Sequence, residues 1–264
     1  MKKIICLVLA VCLTACLFAG CGKNDDKTAS DASEAQKTAE VIKFGTNAEF
    51  PPFEFVAANG VIDEFDGIDI CIAKEIAEQN GATAKIENME FDSLLVALQN
   101  KQIDAVIAGM TASDERKESV NFSTPYYKAT QVMIVKEDST IAKAADMADK
   151  KIVVIQGYTG ETCVKKMGYN YESFKKGTEA VMELVNGKCD VVVIDSATAS
   201  KYVKDNPGLK IVEDSEAFET EEYAVAVNKD NTELLEKINK AIDKLLADGK
   251  VNEYAAKYAE ATEE

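Results

Sequence analysis

Two distant segments of the chain repeat one pattern, and this internal repeat limits the possible fold more than any other feature. Residues 98–109 (LQNKQIDAVIAG) align without a gap with residues 184–195 (LVNGKCDVVVID), so that Asn100 matches Asn186. Each copy predicts the end of a helix, a tight turn and a buried parallel strand. A strand flanked by helices and used twice predicts two α/β lobes of similar plan. The alternative is two unrelated units that share a common arrangement.

Periodic apolar residues place further elements on both sides of the repeat. The chain is predicted to cross between the lobes in two extended segments, near residues 131–134 and near residues 221–224. The first lobe then comprises residues 41–131 and 224–264, and the second comprises residues 132–223. The other predicted elements are a strand at 41–47, a turn at Asn59 and Gly60, helices at 67–81 and 91–100, a strand, glycine turn and helix at 151–161, a strand at 221–230, and a helix from Asn231 to Gly249.

Residues 1–20 predict a targeting segment. Lys2 and Lys3 precede an apolar run that ends in the sequence FAGCG, with Cys21 as its cysteine. This arrangement resembles a bacterial lipoprotein signal, in which cleavage precedes a cysteine that becomes lipidated. Residues 21–40 are polar and lack apolar periodicity, which predicts a disordered tether. The chain is therefore expected outside the cytoplasm, held by lipid at the outer face of the cell membrane.

Two alternatives remain for this segment. Cys16 ends a second candidate motif, LTAC, but it lies inside the apolar run, whereas polar residues follow Cys21 at once. A plain secretory signal or an uncleaved anchor would also begin with basic and then apolar residues. The apolar run is short for a membrane span, which needs about 20 residues.

Composition excludes several kinds of chemistry. The chain has no histidine, which removes Ser-His-Asp and Cys-His catalysis and histidine-based zinc sites. A net charge of −16 argues against nucleic acid binding. Beyond the targeting segment only Cys71, Cys163 and Cys189 remain, without metal-ligand spacing, so we expect neither a metal nor a cofactor. A disulfide between Cys163 and Cys189 is conceivable, but buried free thiols are favoured.

Arg116 is the only arginine in a lysine-rich chain. A planar guanidinium grips a carboxylate through two parallel hydrogen bonds, which lysine cannot do. The internal repeat places Gly109, shortly before Arg116, and Asp195 at equivalent strand ends, where open α/β sheets bind ligands. If the lobes face each other, Arg116 and Asp195 match the carboxylate and the ammonium of an amino acid. The alternatives are a surface arginine and an aspartate that caps the next helix.

Further side chains fit the same cleft. Thr111 offers a hydroxyl to the ligand carboxylate, and Thr159 offers another from the start of a helix in the second lobe. Gly109 lets the backbone approach the ligand closely. Phe50 and Phe91 are candidates for an aromatic wall. Each threonine could instead only cap a turn or helix, and the phenylalanines, Phe53 included, could be plain core.

These motifs resemble a known family, the extracytoplasmic solute-binding proteins of polar amino acid ABC uptake (family 3). The resemblance covers the mature chain, roughly residues 41–258, through GTNAEFPPFEF, GIDICIAKEIA, IDAVIAGMTASDERKESVNFSTPYY, QGYTGE and DVVVIDSATA. It implies a type II periplasmic-binding-protein-like fold: two α/β lobes, each a mainly parallel sheet flanked by helices, joined by a two-strand hinge. By position, it implies a ligand-binding role for Arg116, Asp195, Thr111, Gly109, Thr159, Phe50, Phe91 and Asn47.

The resemblance also implies a function and partners. Such a protein closes its lobes on an amino acid and delivers it to an ABC permease, acting as a monomer and not as an enzyme. Many members that bind basic or amide side chains carry an acid where this chain has Asn47. A polar or neutral amino acid is therefore favoured, although Glu54 or Glu87 could still supply a charge. The alternatives are an extracytoplasmic cyclohexadienyl dehydratase type of enzyme and an amino acid sensor for a membrane receptor.

Overall fold

The computed structural model describes residues 40–260. The predicted signal peptide, Cys16, Cys21 and nearly all of the predicted tether lie outside the described residues. Glu40, which closes the predicted tether, is already the first residue of a strand. Among residues 40–260, no helix is both long enough and apolar enough to cross a membrane.

The described residues form strands and helices in alternation. The strands are β1 (Glu40–Thr46), β2 (Glu49–Phe50), β3 (Glu54–Val56), β4 (Phe65–Asp66), β5 (Ala82–Asn88), β6 (Ala105–Val106), β7 (Val120–Phe122), β8 (Tyr127–Lys136), β9 (Ile152–Ile155), β10 (Tyr171–Phe174), β11 (Val191–Asp195), β12 (Leu209–Val212), β13 (Thr220–Tyr223) and β14 (Ala226–Asn228). The helices are α1 (Ile68–Gln79), α2 (Leu94–Gln99), α3 (Asp114–Ser119), α4 (Thr159–Lys166), α5 (Gly177–Val185), α6 (Ser196–Asp205), α7 (Thr232–Ala247) and α8 (Lys250–Glu260), with 3-10 turns at Phe91–Ser93 and Ala144–Met147.

Two main sheets share one plan. The first has the order β5-β1-β6-β14-β7, and the second has the order β10-β9-β11-β8-β12 with β13 also paired to β8. In each sheet three strands are parallel, β5, β1 and β6 in the first and β10, β9 and β11 in the second, and the remaining strands are antiparallel. Each sheet with its flanking helices is called a lobe below. A small antiparallel sheet, β2-β3-β4, belongs to the first lobe's sequence region.

The crossing between the sheets is an antiparallel pair. Residues 127–130 of β8 pair with β13, while residues 131–134 already pair with β11 in the second sheet. The first crossing therefore lies slightly earlier than the prediction at 131–134. The single strand predicted at 221–230 is wrong, because the segment divides into β13 in the second lobe and β14 in the first. Because the strand breaks at Ala224 and Val225, the residues before the break pair with β8 and the residues after it pair in the first sheet.

The two long helices of the first lobe follow their sequence signals. α1 ends at Gln79, and Gly81 follows with a positive φ of 66°, as the predicted stop requires. The Asn231 side chain accepts a hydrogen bond from the Leu234 amide at 3.2 Å and so begins α7. The apolar face of helix α7 buries Ile238 in the core, whereas Leu246 near the end of the helix is 40% exposed.

Helix α8 has no counterpart among the predicted elements. It packs on α1 and α7 and buries Val251 and Tyr258. The Tyr258 hydroxyl donates to the Asp66 carboxylate, receives a hydrogen bond from Lys257 at 2.9 Å and lies 3.4 Å from the Cys71 thiol. These contacts hold α8 against β4 and α1.

Replacing Tyr258 with phenylalanine should lower the free energy of unfolding by about 1–2 kcal/mol, because it removes a donor from the Asp66 carboxylate. Urea denaturation followed by circular dichroism measures the change. Tyr254→Phe is the matched control, since the Tyr254 hydroxyl contacts Glu75 at 3.2 Å in a less buried place and should cost clearly less. Equal losses in the two variants would contradict the anchoring role of Tyr258.

Candidate functional site

Arg116 bridges the two lobes. It lies in α3, which begins where the Ser113 side chain accepts a hydrogen bond from the Arg116 amide at 3.3 Å. Its guanidinium donates from Nη1 to the carbonyl oxygen of Thr111 and from Nη2 to that of Gly157, both at 2.9 Å. It also lies 5.2 Å from the centroid of the Phe91 ring. The side chain is therefore held between protein groups and does not extend into open solvent.

Asp195 ends the central strand β11 of the second lobe and is buried. It occupies the N-cap position of α6 but makes no side-chain capping bond. Its carboxylate instead accepts from the Tyr223 hydroxyl. Burial raises the pKa of Asp195, and the Tyr223 hydroxyl and the charge of Arg116 oppose that rise. Conversely, burial lowers the pKa of Arg116, and nearby carboxylates, Glu221 first and then Asp195, oppose that lowering.

A single small cavity of about 10 Å³ brings most of the predicted site residues together. It is lined by Phe50, Phe91, Ala108, Gly109, Thr111, Arg116, Tyr158, Thr159 and Asp195. Two larger cavities flank it, one of about 530 Å³ that reaches Arg116 and one of about 790 Å³ that reaches Glu221. The small cavity holds at most about one water molecule, which needs about 10–15 Å³, so the contacts around it must separate before an amino acid can enter.

The turn at Gly109 has no room for a side chain. Its φ is +51°, and a Cβ placed there would lie 2.4 Å from the Phe50 ring. Its amide donates to Asp69 at 2.7 Å, which fixes the turn against α1. The residues that follow the turn, Thr111 and Arg116, are therefore presented from a fixed backbone.

A chain of hydroxyl contacts joins the lobes beside Arg116. Thr159 donates to the Thr111 hydroxyl at 3.1 Å, and Thr111 donates to the Glu221 carboxylate at 2.7 Å. The N-cap residue of α4 is Tyr158, which makes no side-chain capping bond, so Thr159 is not acting as the helix cap. Glu221 lies on β13 in the crossing, also near the Gln131 amide at 3.4 Å. Burial, followed by the charge of Asp195, raises the pKa of Glu221 from 4.5 to about 7.

Three aromatic rings close the site from both lobes. Tyr158 of the second lobe lies 5.3 Å from Phe50, edge to face, and 4.6 Å from Phe91. Its hydroxyl donates to the Asn47 side chain at 3.0 Å, and Asn47 in turn donates to the Met89 carbonyl at 3.0 Å. Asn47 therefore lies behind Tyr158, outside the lining of the small cavity.

Other predicted side chains lie away from the cavity. Phe53 is fully buried and stacks on Phe50, so it supports the wall from behind. Glu87 lies on β5 and forms an ion pair with Lys85 at 2.7 Å. Glu54 is fully buried. Among residues 40–260 no group of three or more metal-ligating side chains occurs, and Cys71, Cys163 and Cys189 are free.

Sequence reasoning missed Tyr158, Glu221 and Tyr223 as site residues. Glu221 and Tyr223 alternate with exposed residues along β13, so the period-two pattern of a half-buried strand was the available signal. Acidic residues at 213–222 concealed that pattern, because they read as a solvated surface. Tyr158 stands between Gly157 and Thr159 in QGYTGE and carries no local signal of its own.

A family model for bacterial extracellular solute-binding proteins, family 3, matches residues 42–261. The chain belongs to this family. The two sheets with their flanking helices are accordingly the two lobes of a periplasmic amino-acid-binding protein fold, as the resemblance implied.

Individual relatives have names that mention amino acids. The arginine-binding extracellular protein ArtP of Bacillus subtilis is 32% identical over 98% of this chain and 98% of its own. The ABC transporter arginine-binding protein 1 of Escherichia coli is 37% identical over 80% of this chain and 87% of its own. The solved structure of an ancestral arginine-binding protein bound to glutamine is 43% identical, with a TM-score of 0.76 over 83% of this chain and 97% of that one.

Glu221 gives the protein a distinct pH dependence. A raised carboxyl pKa contributes stability that is present at acid pH and is lost as pH rises from the unfolded value of 4.5 through the folded value of about 7. Glu221→Gln should remove about 2–3 kcal/mol of this decline in the free energy of unfolding, measured by urea titration across that range. The matched control is Glu222→Gln, an exposed neighbour paired with Lys128 at 3.6 Å, which should leave the profile unchanged. Identical profiles for both variants and the parent would refute a buried, protonating Glu221.

Proposed function

We propose that this protein is the substrate-binding component of an ABC importer and that it binds one amino acid between its lobes. Arg116 binds the α-carboxylate and Asp195 binds the ammonium. The observation that carries the proposal is that these two side chains, from different lobes, line one cavity with Gly109, Thr111 and Thr159. The relatives named above, which are binding proteins, support a binding role in preference to a dehydratase.

Arg116 should bind a ligand carboxylate more strongly than it binds its present partners. Its guanidinium donates to two neutral carbonyl oxygens, of Thr111 and Gly157. A carboxylate is a stronger acceptor, and hydrogen bonds to charged groups contribute about 1.5–3 kcal/mol each. A micromolar ligand needs about 8 kcal/mol in total. That free energy comes from three sources: two such hydrogen bonds, the Asp195–ammonium pair and the aromatic wall. Together they exceed the entropy cost of ordering the ligand and the site by the required amount.

Closure follows from the position of these contacts. Because the ligand touches both lobes only when they are together, it binds the closed arrangement more tightly and shifts the population towards it. The movement is carried by the paired segments of β8 and β13, the two strands that join the sheets. The closed monomer then docks on the permease, and a lipid on Cys21 keeps it at the outer face of the membrane.

Asn47 favours a ligand with a polar or neutral side chain over a basic one. Its amide is neutral, and its hydrogen bonds are taken by Tyr158 and the Met89 carbonyl. Arginine is the second candidate, because relatives are named for it and because the site region holds more carboxyl groups, Asp195 and Glu221 among them, than cations. Calorimetry with the twenty amino acids, glutamine and arginine first, ranks the candidates.

Arg116→Ala should weaken amino acid binding by at least about 100-fold, because it removes two charge-assisted hydrogen bonds. Arg116→Lys should also bind poorly, since a point charge does not replace the planar fork. Calorimetry with L-glutamine and L-arginine measures both. Lys117→Ala, on the same helix but with an exposed side chain, is the matched control and should bind as the parent does. Parental affinity in Arg116→Ala would refute the site.

The lipid anchor has a separate test. Cys21→Ser should release the protein from membranes into the medium or soluble fraction of expressing cells and should abolish incorporation of labelled fatty acid. Cys16→Ser is the control and should stay membrane-bound. If Cys16→Ser is released and Cys21→Ser stays on the membrane, Cys16 is the lipidated residue. If both variants stay on the membrane, an uncleaved apolar anchor is favoured.

A further inference from the structure

Two acidic side chains lie together in the interior directly behind the Gly109 turn. Glu54 belongs to β3 and Asp69 to α1, and both are fully buried. Neither forms an ion pair with a lysine or arginine among the described residues. Two neighbouring carboxylates without a cation are strongly disfavoured in a protein interior, so one of them must hold a proton.

Hydrogen bonds identify which acid is ionised. Asp69 Oδ2 accepts from the Gly109 amide and from the Tyr126 hydroxyl, both at 2.7 Å. Asp69 Oδ1 and both oxygens of Glu54 receive no donor. Two donors stabilise the charged form of Asp69, whereas nothing stabilises a charged Glu54. A proton on Glu54 therefore supplies the donor that Asp69 Oδ1 lacks.

The surrounding groups act in the same direction. Burial, and next the charge of Asp69, hold the pKa of Glu54 well above its usual range, and Asp195 at the end of β11 adds to the effect. Burial raises the pKa of Asp69 to about 7, against the donors from Gly109 and Tyr126. The other titratable groups near the pair are phenols on neighbouring segments, Tyr126, Tyr158 and, beside Asp195, Tyr223.

We propose that Glu54 is a protonated acid that donates to Asp69, and that this acid pair is a positioning device for the ligand-binding turn at Gly109. Asp69 joins that turn to Tyr126, the residue before the crossing strand β8. The pair thus fixes the backbone that presents Thr111 and Arg116 in relation to the start of the hinge. The positioning role rests on the proposed function, whereas the protonation of Glu54 does not.

The first experiment tests the proton without any ligand. At neutral pH the infrared spectrum of the full-length parent minus that of Glu54→Gln should show the carbonyl band of a buried carboxylic acid, since the other buried acids contribute to both spectra. The free energy of unfolding of the parent should decline as pH rises above about 4.5, because the folded state keeps a proton that the unfolded chain releases. Glu54→Gln should make that decline shallower. A difference spectrum without this band, or pH profiles that coincide, overturns the proposal.

The second experiment tests positioning by calorimetry with L-glutamine and L-arginine. Glu54→Gln keeps a donor for Asp69 and should bind within about threefold of the parent at neutral pH. Glu54→Leu removes the donor and should bind at least about tenfold more weakly. As pH rises and Glu54 ionises, parental affinity should fall, and affinity in Glu54→Gln should fall less. Equal affinity and equal pH dependence in all three proteins overturns the positioning role.

The outcomes separate the two proposals. If the parent binds none of the twenty amino acids, the proposed function fails, while the infrared band and the unfolding profile still decide the state of Glu54. If Glu54→Leu does not fold, the comparison of Glu54→Gln with the parent across pH remains decisive, because it needs only the conservative variant.

Discussion

The interior around the cleft contains one guanidinium and several carboxyl groups, and the rest of the arrangement follows from how these charges are accommodated. Arg116 is held by carbonyl oxygens from both lobes, with Asp195 and Glu221 close enough to influence its pKa. Because charges removed from water must be paired or neutralised, the surrounding hydroxyls serve as donors to the carboxylates. Thr111 and Tyr223 both act in this way, each on one acid. The cleft is therefore polar in its contacts although aromatic rings line it.

The connection between the lobes explains how such a site can open without unfolding. Residues 127–130 and Thr220–Tyr223 pair in the crossing as a short antiparallel ladder, and Tyr223 also bridges to Thr111 of the first lobe. Glu221 faces the cleft from this ladder, so one hinge strand also contributes a side chain to the charged interior. The same strand, β13, therefore takes part both in the crossing and in the charged interior of the cleft.

Local signals in the sequence predicted several of the elements and led to the cavity that most of the candidate site residues line. The internal repeat predicted two similar sheets, because β6 and β11 occupy matching central positions after matching helices. The lone arginine and the strand-end aspartate led to the cavity, because strand ends gather at one edge of a parallel sheet. These inferences depend on spacing along the chain, which the sequence records directly.

What escaped prediction depends on contacts between distant segments. Helix α8 was not predicted, although Val251, Tyr254, Ala255 and Tyr258 follow the i, i+3, i+4, i+7 spacing of an amphipathic helix. The hydrogen bond from Tyr258 that fixes it joins it to Asp66, which lies far away in the sequence. Glu54 looked like a possible ligand contact, and only the full fold shows it packed beside Asp69 in the interior. The exact crossing point also depended on which residues of β8 pair with β13 and which with β11. Register between strands is a property of the assembled sheet and not of either strand alone.

The order of the strands gives the second lobe a particular relation to the first. Every strand of the second sheet lies between the start of β8 and the end of β13, while the first sheet is built from residues before and after that interval. The second lobe is thus an insertion whose entry and exit run side by side as hydrogen-bonded neighbours. Such a module can be excised or exchanged for a related one at a single pair of adjacent junctions, leaving the host scaffold continuous. New ligand preferences can therefore arise by recombination of whole modules as well as by substitution of single side chains.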